Sequence, residues 1–101
     1  MHETEAPIVK ALVIHPSQDS DSTYHKPLLR LEEAVGLTIA LGLEVALSKI
    51  ETMREIRAST YFGKGKLEAI DELAQELGVN ILIIDDALSP IQQRNLEKRL
   101  G

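Results

Sequence analysis

The sequence predicts an α/β domain, a small parallel sheet in two or three layers with its elements in the order β-α-β-α-β-α. Three observations predict it. Short apolar runs at residues 8–14 (IVKALVI), 43–50 (LEVALSKI) and 81–84 (ILII) have the length and β-branched content of strands. Each is followed by a stretch of helical character, and these stretches end at Gly42, Gly78 and Gly101, where a helix C-terminus takes glycine. The third run is apolar on both faces, as a strand covered on both sides must be. Strands that alternate with helices need right-handed crossovers, and these pair them in parallel.

The elements follow in order. The first run lies between Pro7 and Pro16 and reads as a buried strand. Residues 16–26 are rich in Ser, Asp and Thr and predict a long mobile loop. Pro27 suits the first turn of a helix that reaches about Leu41. Its second half, 34–41 (AVGLTIAL), carries no charge, and Leu37 and Leu41 fall opposite Val35 and Ile39. One sheet face cannot cover both sides of a helix, so part of this surface is left bare. The second run alternates only partly and predicts a more exposed strand. An irregular, charged stretch then leads to a helix from about Lys66 to Leu77, with Leu67, Ile70, Leu73, Ala74 and Leu77 in one stripe. Asp85 and Asp86 close the third strand. Ser89 caps a last helix with Pro90 at its first position, reaching Leu100.

Composition excludes several function classes. With 101 residues there is room for one domain and one modest core. The absence of cysteine removes disulfides, thiolate metal sites and cysteine nucleophiles. Three aromatic residues are too few for a base-stacking RNA surface. No apolar run spans a membrane and the acidic N-terminus lacks a signal core, so a cytoplasmic protein is expected. The net charge of −5 is unevenly spread. Between Lys49 and Lys66, five basic residues (Lys49, Arg54, Arg57, Lys64, Lys66) face two acidic ones, Glu51 and Glu55. This is either a solvated loop or a surface for an anionic partner.

Gly63-Lys64-Gly65-Lys66 leads into a helix N-terminus, whose free amides and dipole favour phosphate. It is not a nucleotide loop of a known pattern: the Walker sequence is absent, and Glu68 stands where a dinucleotide motif needs glycine. Asp85 and Asp86 end a strand on the edge where open sheets bind ligands. They are suited to Mg²⁺ or to acid–base work, and equally to accepting local hydrogen bonds. His15 has no metal-ligand partner on its own element and reads as a loop residue, as do His2 and His25. Neither a catalytic residue nor a metal site is assigned.

Two blocks carry a resemblance. Thr60-Tyr61-Phe62-Gly63-Lys64-Gly65-Lys66-Leu67-Glu68, followed by Asp85-Asp86-Ala87-Leu88-Ser89-Pro90-Ile91-Gln92-Gln93-Arg94-Asn95-Leu96-Glu97, resembles the N-terminal domain of HflX-type GTPases. Residues 1–59 fit it in layout alone. The matched positions are Thr60, Tyr61, Gly63, Gly65, Lys66, Asp85, Asp86, Ser89, Pro90, Gln93, Arg94 and Asn95. The resemblance implies an accessory domain that binds the large ribosomal subunit, in a family that splits or rescues stalled ribosomes under stress. It implies contact with rRNA through the basic segment 49–66, using Lys49, Arg54, Arg57, Gly63, Lys64, Gly65 and Lys66. The family's fourth strand, helical hairpin and G domain follow this region. GTP and Mg²⁺ belong to that G domain, so this chain is expected to be a fragment, without a cofactor and without enzymatic activity of its own.

Crossover handedness together with the family order gives strand order 2-1-3, with residues 81–84 on an open edge. Such an edge and the bare side of the first helix predict a homo-oligomer. In the parent, the G domain and helical hairpin are the expected partners of this surface. Two rival functions remain at this point: a small nucleotide (ATP)-binding domain using the glycine loop and the Asp pair, or a plain oligomerisation module.

Overall fold

The computed structural model describes residues 8–18, 25–53 and 55–100. Three strands, β1 (Lys10–Gln18), β2 (Glu44–Met53) and β3 (Ile81–Ile84), alternate with helices α1 (His25–Ala40), α2 (Lys64–Leu77) and α3 (Pro90–Leu100). The sheet is parallel throughout, in the expected order β2-β1-β3. Alternation along the central strand sorts the helices into layers. Leu12 and Ile14 join Phe62, Leu67, Ile70 and Leu96 on the face covered by α2 and α3. Val13 packs on Leu31 and Ala34 of α1, on the other face. The sheet is therefore the middle of three layers, and residues 11–14 of β1 are fully buried.

Several boundaries differ from the sequence reading. β1 continues through Pro16 to Gln18 and does not stop at Ile14. The reason is topological: β3 pairs with β1 only as far as Ile14, so beyond it β1 has β2 alone beside it. Proline is tolerated on such an edge, where a missing N–H interrupts no second ladder. α1 begins at His25, which leaves Pro27 within the first turn, where its N–H has no intrahelical partner to lose. β2 extends three residues past Ile50 to Met53, which is buried. Of the expected mobile loop, residues 19–24 lie outside the described residues.

Gly42 and Gly78 stop their helices as expected, while Gly101 lies outside the described residues. Gly42 and Gly78 have φ of 88° and 67°. After each, paired bonds close the helix: Val79 N–H to Ala74 O (3.0 Å) beside Gly78 N–H to Gln75 O (3.2 Å), and the equivalent pair at Leu43 and Gly42. β3 forms one of the two sheet edges, β2 being the other, and its Ile81 is exposed. A groove of about 540 Å³ runs alongside it between α2 and α3, lined by Ile70, Ala74, Leu82, Leu88 and Leu96 among others. Leu37 of α1 and Leu41, just past its end, are bare. Ile39 is bare too (58% exposed), because the sheet covers only the stripe of Leu31, Ala34 and Thr38.

Candidate functional site

The two sequence blocks meet at the carboxyl edge of the sheet. In the segment before α2, Arg57 and Tyr61 exchange both backbone hydrogen bonds at 2.9 Å, closing a tight turn. The Phe62 N–H then bonds the Thr60 carbonyl at 2.7 Å around Tyr61, whose φ is 68°. This is a γ-turn of the rare, strained hand. A tyrosine held there costs on the order of 1–3 kcal/mol. Its side chain supplies the compensation: Tyr61 is almost fully buried, its ring meets Phe62 edge-on at 4.9 Å, and its hydroxyl donates to the Asp86 carboxylate. Burial, then the hydrogen bond and charge of Asp86, push the Tyr61 phenol well above its ordinary pKa.

Asp85 and Asp86 are aimed at opposite faces, because the side-chain alternation of β3 carries on past its end. Asp85 reaches His15 on the α1 face, Oδ2 to Nδ1 at 3.0 Å. Asp86 turns to Tyr61 on the α2/α3 face and also accepts the Ala87 N–H at 2.8 Å. Neighbours in sequence, they cannot chelate one ion together. Among the described residues, no three metal-ligating side chains gather. His15 is thus not a loop residue: it lies in β1, is nine-tenths buried and is paired. Sequence reading had no signal for this, since the partner stands 70 residues away.

Ser89 caps α3 as expected, accepting the Gln92 N–H at 3.1 Å. Gln92 returns the bond, its Oε1 accepting from the Ser89 N–H at 2.8 Å, which completes a capping box that the Ser-x-x-Gln spacing had offered to the eye. The same side chain, buried, donates through Nε2 to the Arg57 carbonyl at 2.8 Å. Asn95, one turn on, donates to the Ser59 carbonyl at 2.8 Å. Thr60, Tyr61, Asp86, Ser89 and Asn95 are therefore brought together. Asp85 is directed to the other face. Pro90, Gln93 and Arg94 are exposed, with Gln93 bonded along its own helix to Glu97.

The basic residues divide into two groups. Lys66 and Lys49 both bind the half-buried Glu51, at 2.7 and 3.2 Å. Burial alone would raise the Glu51 pKa, but the hydrogen bonds and charges of the two lysines outweigh it and hold the carboxyl below its ordinary value. Lys64 and Arg57 are exposed, and the Arg57 guanidinium lies over Gly63, 3.5 Å from where a Cβ would stand. Arg54 lies outside the described residues. α2 starts at Lys64, two residues earlier than expected, with Gly63 as an N-cap that supplies no side-chain acceptor. The first-turn amides of Lys64, Gly65 and Lys66 are thus left without a side-chain cap. Around Gly65 a Cβ would meet open space.

Comparison with known proteins extends the likeness beyond the two blocks. Residues 29–101 match the family described as GTP-binding GTPase N-terminal, a span that takes in most of α1, β2 and everything after them. The chain is 43% identical over 72 residues to the GTPase HflX of Chlamydia pneumoniae, covering 70% of this chain and 15% of that protein. It is 39% identical over 71 residues to GTPase HflX of Magnetococcus marinus, covering 70% and 16%. With GTPase HflX of Escherichia coli it shares 38% over 77 residues, covering 75% and 18%. The match therefore spans under a fifth of each of these relatives' length. With a family match over most of its length, and both motif blocks folded into one hydrogen-bonded unit, the chain belongs to the GTP-binding GTPase N-terminal family, as an N-terminal domain of the HflX type.

Proposed function

We propose that the domain is the ribosome-facing recognition module of an HflX-type GTPase and binds the large ribosomal subunit in the cytoplasm through rRNA phosphates. One observation carries this reading. At the tip of the net-basic segment, exposed Lys64 and Arg57 flank a helix N-terminus that has no side-chain cap. Such a tip offers backbone amides, a helix dipole and mobile cations to a phosphate. Base reading is not expected of it, because both aromatic residues nearby, Tyr61 and Phe62, are buried in the core. Lys49 and Lys66 add charge from behind, through the Glu51 bridge. GTP, Mg²⁺ and the chemistry of ribosome splitting or rescue belong, in this proposal, to the G domain of such a protein, and this domain contributes binding.

The test is co-sedimentation of the purified chain with large ribosomal subunits at two salt concentrations. Exchanging Lys64 and Lys66 for Glu is expected to weaken binding and flatten its salt dependence, since fewer counterions are released. Exchanging Lys10 and Lys98 is expected to do much less. Equal losses from both pairs would reduce the interaction to diffuse charge attraction and overturn the proposal.

Self-association is a second reading, favoured by the open β3 edge and by bare Leu37, Ile39 and Leu41. The G domain and helical hairpin of an HflX-type protein are the competing partners for those surfaces.

A further inference from the structure

The loop that carries Arg57 and leads into Lys64 is held from outside itself, and by one helix. Gln92 and Asn95, both on α3 and one turn apart, each donate a side-chain N–H to a backbone carbonyl of this loop, those of Arg57 and Ser59. The two accepting residues are the first and the middle residue of the tight turn that Arg57 and Tyr61 close. Tyr61, the strained residue, is tied by its hydroxyl to Asp86, just before α3. The turn is five residues long and contains a backbone conformation that tyrosine rarely adopts. Left alone, it would sample other shapes. The α3 contacts select this one.

We propose, on the ribosomal reading above, that Gln92 and Asn95 are positioning residues for phosphate binding. They touch no phosphate themselves. They hold the 57–61 turn so that Arg57 and the N-terminus of α2 present a preformed site, which spares the cost of ordering the loop on contact. α3 is accordingly part of the recognition apparatus, although its own exposed residues carry none of the binding.

Isosteric changes separate this role from mere folding. Gln92→Glu keeps an oxygen to accept the Ser89 N–H, so the cap of α3 survives, but it replaces the donor facing the Arg57 carbonyl with an acceptor. Asn95→Leu removes the second donor without adding charge, and serves if Gln92→Glu fails to fold. Gln93→Glu places the same negative charge on α3, pointing away from the loop, and is the charge control. Two quantities are read on the whole chain: hydrogen exchange at the Arg57 and Tyr61 amides, and affinity for purified large ribosomal subunits at two salt concentrations. The expected result for Gln92→Glu and for Asn95→Leu is faster exchange at those two amides and affinity lower by about five- to tenfold. For Asn95→Leu the salt dependence stays unchanged, because every cation remains. Unchanged loop exchange overturns the positioning role whatever the chain binds. Faster exchange with affinity no lower than that of Gln93→Glu overturns it too. Absence of binding by the unsubstituted chain sinks the ribosomal reading, and the exchange measurement then judges the loop on its own.

Discussion

Glu51 decides how much of the basic segment is free to act. It engages two of the segment's ammonium groups at once. Its replacement by Gln leaves both lysines without their carboxylate, so tighter binding to large subunits and a steeper salt dependence are expected, read by co-sedimentation. The pair-wise stability lost is about 1 kcal/mol or less, as these groups are partly solvated. Because the folded pKa of Glu51 is depressed, its contribution is present above the ordinary carboxylate range and fades as pH falls through the folded value. Tyr61 has the opposite sign. Its folded pKa is raised, so its contribution is complete below pH ~10 and is lost at higher pH as the phenol ionises. Denaturant titrations across the alkaline range are expected to show the unsubstituted chain losing stability more steeply than Tyr61→Phe. Parallel curves would mean that the hydroxyl contributes nothing to this dependence.

At the scale of elements, much was legible because local rules and tertiary packing agreed. The stops at Gly42 and Gly78 and the Ser89-Pro90 helix start are each enforced by bonds within a few residues, and each appears where the sequence places it. Ser89→Ala removes a cap and is expected to cost about 1 kcal/mol, with Ser89→Asn close to neutral, measured by urea unfolding. What was not legible depends on long-range partners. The extension of β1 past Pro16 follows from where β3 ends, which no local pattern encodes. His15 is paired only through Asp85, 70 residues away in sequence. The candidate site was half legible. The glycine-lysine tip was visible, but its pinning by Gln92 and Asn95, and the commitment of Lys49 and Lys66 to Glu51, required the fold.

For the whole molecule, the layers distribute apolar surface unevenly. One sheet face is covered by two helices, the other by α1 alone, whose C-terminal half leaves Leu37 and Ile39 bare. Burying roughly 400 Å² per chain there, or along the β3 edge, is worth on the order of 10 kcal/mol before association costs. Sedimentation over a hundredfold range of concentration is therefore expected to show dimers or larger species. A strictly monomeric chain at the highest concentration would refute pairing. Nothing long and apolar enough to cross a membrane occurs among the helices of the described residues.

The central place of β1 has a consequence in time. Of the three strands it is the first to leave a translating ribosome, yet both of its partners arrive later, β2 only after α1 and β3 only after α2. No two neighbouring strands are joined by a hairpin, so every sheet contact must wait for a long loop to close. Refolding is expected to be correspondingly slow for a chain this short, in milliseconds to seconds. During synthesis, residues 11–14, the most deeply buried of the finished sheet, spend the longest with their backbone unpaired on both sides. Until Ile84 has emerged there is no complete β3 to cover them, and this is the interval in which a chaperone has most to bind.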